Sequence, residues 1–112
     1  MPKYLVLYKA ALPATEMMES MTPEQRQTGM ELWMKWSEKA GDALVDFGMP
    51  LGTAKHVESG SISPSKDTVT GFSIIQAGSL DEAATLVEDH PHFHTPGESS
   101  IEVHEFLPMP GM

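Results

Sequence analysis

Lys3-Tyr4-Leu5-Val6-Leu7-Tyr8-Lys9 is a β-type run of aromatic and aliphatic residues held between two lysines. A strand with one face in water alternates apolar and polar side chains; this run is apolar on both faces, which predicts a central strand covered on both sides. The rest of the chain must therefore supply two covers.

Helices supply the first. Pro13 starts a loop, and Glu16 to Met21 fits a short helical turn. Thr22-Pro23-Glu24-Gln25 then reads as a helix start: Thr22 caps, Pro23 suits the first helical position, and Gln25 completes a capping box. Met30, Trp33, Ser37, Ala40, Leu44 and Phe47 recur at spacings of three and four, widened by Leu32, Trp36 and Ala43, which predicts one amphipathic helix from Pro23 to Phe47. Gly48 would end it as a left-handed cap, with Pro50 beyond. Thr53 to Glu58 reads as a second strand, and Ser59 to Asp67 as a polar hairpin loop. Val69 to Ala77 is a third strand, in which Gly71 suggests a bulge or a close approach. Ser79-Leu80-Asp81-Glu82 is a second capping box, opening a helix through Ala83, Leu86 and Val87. Asp89 to Gly97 is a loop with Pro91 and Pro96, Ile101 to Leu107 a last strand, and Pro108 to Met112 a tail.

The order strand–helix–strand–strand–helix–strand is α+β: a ferredoxin-like βαββαβ antiparallel sheet with two helices on one face, in a single domain over residues 1–112. The last strand is mixed, with Ile101, Val103 and Leu107 on one side and Glu102, His104 and Phe106 on the other. A sheet face this apolar is most simply buried against a second copy of itself, so a homodimer is expected.

Composition bounds the function. The 112 residues are 40% hydrophobic and 21% charged, with 16 acidic against 7 basic residues and a net charge of −9. That sign repels phosphate backbones, so no nucleic-acid partner is expected. Arg26 is the one arginine, which disfavours a heavily anionic substrate and leaves neutral, aromatic or weakly acidic small molecules. The chain has no cysteine, hence no thiolate metal site and no thiol nucleophile; a reducing, cytoplasmic setting fits. No apolar run approaches the roughly 20 residues that span a bilayer, and the N-terminal run, broken at Lys9, is too short for a signal peptide, so no membrane association is expected.

Five stretches together resemble the YCII-related family, also called the DGPF-domain family: Met1 to Tyr8, Thr22-Pro23-Glu24, Val69-Thr70-Gly71-Phe72, Asp89-His90-Pro91-His92-Phe93, and Ser100 to Phe106. The resemblance covers nearly the whole chain and rests on the order of short motifs. It implies a dimeric α+β barrel, in which two ferredoxin-like sheets pack face to face. It also implies a catalytic role for Asp89, the Asp before a Pro-aromatic turn, paired with a histidine on the first long helix. That histidine would fall near Gly29, in an Arg-x-x-His pattern from Arg26, and no histidine lies between Pro23 and Phe47.

The candidate catalytic residues are therefore Asp89, His90 and His92, with the alternative that Asp89 only bonds the turn backbone. His90, His92 and His94 have i, i+2, i+4 spacing, but Pro91 and Pro96 interrupt a regular strand and no known metal-ligand spacing is present, so no metal and no cofactor are expected. Glu102 and His104 point the same way on the last strand, where they could bind a ligand or link two subunits. Trp33 and Ser37 are candidate pocket residues; Ser37, a polar interruption of the apolar stripe, could equally bond the carbonyl one turn earlier. Three functions follow: a cofactor-independent small-molecule enzyme using an Asp/His acid–base pair, a non-catalytic dimeric ligand-binding or accessory module, or pure structural association with a larger machine.

Overall fold

In the computed structural model, which describes residues 1–94 and 97–110, the expected α+β architecture is present. Pro96 of the expected loop and the last two residues of the expected tail lie outside the described residues. The elements are β1 (Lys3–Ala10), α1 (Ala14–Ser20), α2 (Pro23–Ala40), β2 (Leu44–Asp46), β3 (Lys55–Glu58), β4 (Ser61–Pro64), β5 (Val69–Gln76), α3 (Leu80–Leu86) and β6 (Ser99–Glu105), with 3-10 turns at Gly41–Ala43 and Pro91–His94. The main sheet runs β2-β5-β1-β6, antiparallel throughout, which is the ferredoxin-like order. No helix among the described residues is long and apolar enough to cross a membrane.

β1 is central, as its two apolar faces require. Tyr4, Val6, Tyr8 and Ala10 are buried toward the helices with Ser73 and Ile75 of β5, joined by Trp36, Ala40, Ala83 and Val87. The opposite face carries Leu5 and Leu7 beside Ile74 and Phe72 on β5, and His104 and Glu102 on β6. All four of these apolar side chains are half-buried, and both polar ones are exposed. The pairing register slips between Tyr8 and Lys9, opposite Gly71 and Val69. Gly71 also bridges Pro50, and a Cβ there would lie 3.3 Å from the Met49 carbonyl oxygen, so the bulge and the close approach both occur.

The last strand runs Ser99–Glu105 rather than Ile101–Leu107, and two larger differences from the sequence reading occur. The long helix ends at Ala40, not Phe47, because Gly41 takes φ +55° and its N–H returns to the Ser37 carbonyl. Leu44–Asp46 then becomes the second strand of the sheet, a role expected of Thr53–Glu58. The segment from Lys55 instead pairs only with Ser61–Pro64, across a tight turn at Ser59-Gly60, in a hairpin separate from the sheet. Val57 is the one large apolar residue in its strand, too few to hold it on a core. The first capping box forms as expected and the second forms in half. Thr22 and Gln25 exchange side-chain-to-backbone bonds at 3.1 and 2.9 Å. Ser79 accepts the Glu82 N–H, although the Glu82 carboxylate accepts from Gly78 rather than from Ser79 itself.

The molecule is flat, 45 × 45 × 19 Å, with a radius of gyration of 15.4 Å. A compact chain of this length would have about 13 Å. Its surface is 7947 Å², against about 6,100 Å² for a compact monomer of this mass.

Gly48 locks the chain after β2 against β5. Its φ is +79°, and a Cβ there would sit 1.6 Å from the Phe72 carbonyl oxygen. Gly48→Ala should lower stability by at least about 3 kcal/mol in urea unfolding. Gly60→Ala, with φ +84° and open space around it, should cost only about 1 kcal/mol. Equal costs would show that the close approach is not a constraint.

Candidate functional site

A line of hydrogen bonds runs through the layer between sheet and helices. The Ser73 hydroxyl donates to the Phe47 carbonyl at 2.7 Å, so its oxygen is free to accept the Tyr8 hydroxyl at 2.8 Å. The Tyr8 oxygen in turn accepts from His90 Nε2 at 3.3 Å, and His90 Nδ1 accepts the His92 backbone N–H at 2.9 Å. The direction is self-consistent and assigns His90 one neutral tautomer, protonated on Nε2. His92 donates from Nε2 to the Lys9 carbonyl at 2.7 Å. Every polar side-chain atom buried among the described residues has a partner.

Aromatic rings enclose this line. The His90 ring centre lies 4.4 Å from Trp33, 4.3 Å from Trp36 and 4.8 Å from Tyr8. Trp33 meets Tyr8 edge-on at 4.8 Å and Phe47 at 6.0 Å. Burial sets the ionisation. It holds His90 down at about 3, reinforced by His92 and only partly opposed by Asp89. His92 is likewise lowered by burial, against its carbonyl partner on Lys9. Burial raises the Tyr8 phenol to about 12, partly offset by Ser73. Both imidazoles and the phenol are therefore neutral at pH 7.

The sequence candidates separate in space. His90 and His92 are inside; Asp89, their neighbour, faces out and pairs with Lys39 at 3.3 Å, both side chains about 70% exposed. Among the described residues no hydrogen bond joins Asp89 to an imidazole. Asp89 instead lines a surface groove of about 210 Å³ with Leu32, Lys35, Trp36, Lys39, Pro91 and His94. Trp36 closes its floor and donates its indole N–H to the Leu86 carbonyl. Trp33 covers His90 from the α2 side. Ser37 bonds the Met34 carbonyl at 2.6 Å, the local bond open to it from sequence. Glu102 and His104 lie on the opposite face of the sheet, 3.3 Å apart, with Lys9 at 3.5 Å from Glu102. No group of three or more metal-ligating side chains is gathered among the described residues.

Tyr8, Ser73 and Lys39 were not singled out by the sequence reading. Ser73 carried a signal: a hydroxyl at a buried position of an apolar strand must find a partner. Tyr8 lies on the core-facing phase of β1, one pair further along. Lys39 had no signal, since its contact with Asp89 spans 50 residues.

No protein-family model and no curated protein matches the chain. Among solved structures it is similar to 5-chloro-2-hydroxyhydroquinone dehydrochlorinase (TftG) from Burkholderia phenoliruptrix, in a complex with 2,5-dihydroxybenzoquinone. The identity is 19%, the coverage 89% of this chain and 90% of that one, and the TM-score 0.51. This likeness agrees with the ferredoxin-like α+β fold.

The neutral histidines make stability depend on pH. Unfolded histidine takes up a proton near pH 6.5, and folded His90 only near 3. Stability should therefore be complete above pH 6.5 and fall as pH drops toward 3, with a slope from His90 of up to about 1.4 kcal/mol per pH unit. Urea unfolding between pH 4.5 and 7.5 measures it; a flat profile would contradict the buried neutral state. Tyr8→Phe, which strips His90 of its acceptor, should cost about 1–3 kcal/mol. Asp89→Asn, at an exposed ion pair, should cost less than about 1 kcal/mol.

Proposed function

We propose that this chain is a YCII-related α+β-barrel protein that acts as a homodimer and binds a small, weakly acidic ring compound in the groove between α2 and the Asp89–His94 turn. The make-up of that groove carries the reading. In a chain of net charge −9, Lys35, Lys39 and His94 gather there with one carboxylate, Asp89, over an apolar floor of Leu32, Trp36 and Pro91. A weakly acidic group could replace Asp89 as the partner of Lys39 while the ring lies on the apolar floor. The volume of about 210 Å³ suits a single ring, being below the roughly 300–1,000 Å³ of sites for drug-sized ligands.

In this reading His90 and His92 position rather than react. Both nitrogens of His90 are committed, so it has no free lone pair to act as a base. What it does is hold the turn that presents Asp89 and His94. Trp33 and Ser37 back the same stretch of α2, and Glu102 and His104 belong to the face between subunits. The homodimer is supported by the half-buried apolar sheet face and by the surface area, about 1,900 Å² above a compact monomer; a standard interface takes about 800 Å² from each partner.

One observation favours a catalytic variant of this reading. Asp89 shares its groove with His94, an exposed imidazole, so an acid–base pair there would use His94 in place of the buried histidines.

The test is calorimetric titration with 2,5-dihydroxybenzoquinone, the compound held by the structural neighbour, and with simple hydroxybenzoates. Binding should weaken roughly tenfold or more in Lys39→Glu and Lys35→Glu, as loss of a charge-assisted contact does. Affinity unchanged by both would remove the groove as the site and move the search to Glu102 and His104. Conversion of the probe, lost in both Asp89→Asn and His94→Gln, would establish the catalytic variant.

A further inference from the structure

The β3–β4 hairpin touches little of its own chain. All eight of its strand residues are exposed, including Val57 at 67% and Ile62 at 73%. Its pairing is regular, with Lys55 opposite Pro64, His56 opposite Ser63, Val57 opposite Ile62 and Glu58 opposite Ser61. Alternation along each strand then sorts the side chains. Val57, Ile62 and Pro64 share one face with Lys55. His56, Glu58, Ser61 and Ser63 share the other, where His56 and Glu58 bond at 2.8 Å. The hairpin is amphipathic, yet its apolar face is left exposed by the described residues. A two-stranded hairpin alone in water is marginally stable at best, so an apolar face of this kind calls for a surface to bury it.

Its attachment says where it points. Ser65 N–H bonds the Ala54 carbonyl and closes the base of the hairpin. Just before the base, Pro50 and Leu51 bridge to Gly71 and Thr70; just after it, Thr68 accepts from Ala10. The hairpin therefore leaves the sheet at the end where β1 finishes and β5 begins, beyond the last sheet pairs. The same sheet exposes the Leu5, Leu7, Phe72 and Ile74 face.

We propose that the β3–β4 hairpin is a dimerisation arm that lays its Val57–Ile62 face on a second copy of this chain. The inference rests on the two-copy reading above and adds to it the element that reaches across. The area argument favours a second copy as the occupant. The excess surface of about 1,900 Å² is more than twice what one partner gives to a standard interface, so the sheet face and the arm together are accommodated by a single large interface. The hairpin leaves the sheet at the end nearer the Leu7–Phe72 pair, so a copy seated on the sheet face lies within reach of the arm.

The arm is tested with the intact chain. Val57→Thr combined with Ile62→Thr keeps β-branched residues at this exposed cross-strand pair, so the protomer fold, read by circular dichroism, should match the wild type. Light scattering across a dilution series should give about twice the 12.2 kDa chain mass for the wild type. Self-association should be roughly tenfold weaker or more in the double variant, as expected for two apolar side chains lost from an interface. Ser63→Asp, on the polar face, should leave it unchanged. The chain has no cysteine, so Val57→Cys can carry a single benzophenone label; illumination should join two chains covalently. Wild-type mass retained by the double variant on dilution, or adducts confined to one chain, would overturn the arm and leave the homodimer standing. A wild-type chain that stays monomeric at every concentration would end both.

Discussion

The hydrogen bonds from His90 through Tyr8 and Ser73 to the Phe47 carbonyl tie together four separate parts of the chain. They connect the turn after α3, the central strand β1, its neighbour β5 and the segment following β2. The Ser73, Tyr8 and His90 side chains are buried and each bonds two partners along the line, so none can leave without stranding another. The bulge at Gly71 and the tight seat of Gly48 against Phe72 lie beside this line and set the path of the backbone that supplies its last acceptor. The main sheet, α2 and the turn carrying Asp89 and His94 are placed relative to one another through it.

That arrangement explains why adjacent residues have opposite lives. His90 turns inward among Trp33, Trp36 and Tyr8, where burial keeps it neutral and both its nitrogens are occupied. Asp89, one residue earlier, turns outward to Lys39. A carboxylate would gain little beside an imidazole that burial prevents from charging. The turn therefore has a rigid inner side and a chemically open outer side, and the open side is where Lys35, Lys39, Asp89 and His94 collect.

The opposite side of the sheet follows a different logic. Leu5, Leu7, Phe72 and Ile74 form an apolar patch, flanked by Lys9, Glu102 and His104. The partly exposed Lys9–Glu102 ion pair there is worth about 0–1 kcal/mol in a single chain. In a molecule only 19 Å thick, the core on the helix side is one layer deep, and among the described residues the opposite face of β1 is only half-buried.

Local signals in the sequence determined much of this fold. The doubly apolar β1, the Thr22–Gln25 capping box, the Ser79 cap and the glycine inside β5 each depend on a few neighbouring residues and appear in the structure as read. The outcome failed to follow wherever a short segment had two comparable options. Leu44 and Phe47 fit a helical stripe as well as a strand, and Gly41 together with pairing to Ile75 settled the matter. Thr53 to Glu58 had strand character but too little apolar surface to join the sheet, so it paired locally. The site was legible only as a cluster of residue types around Asp89, His90 and His92. Which of them is buried, which protons they carry and which lysine meets Asp89 depend on contacts across 50 to 82 residues of sequence. Burial and the pairing of polar groups are properties of the assembled interior, and the tertiary structure alone decided them.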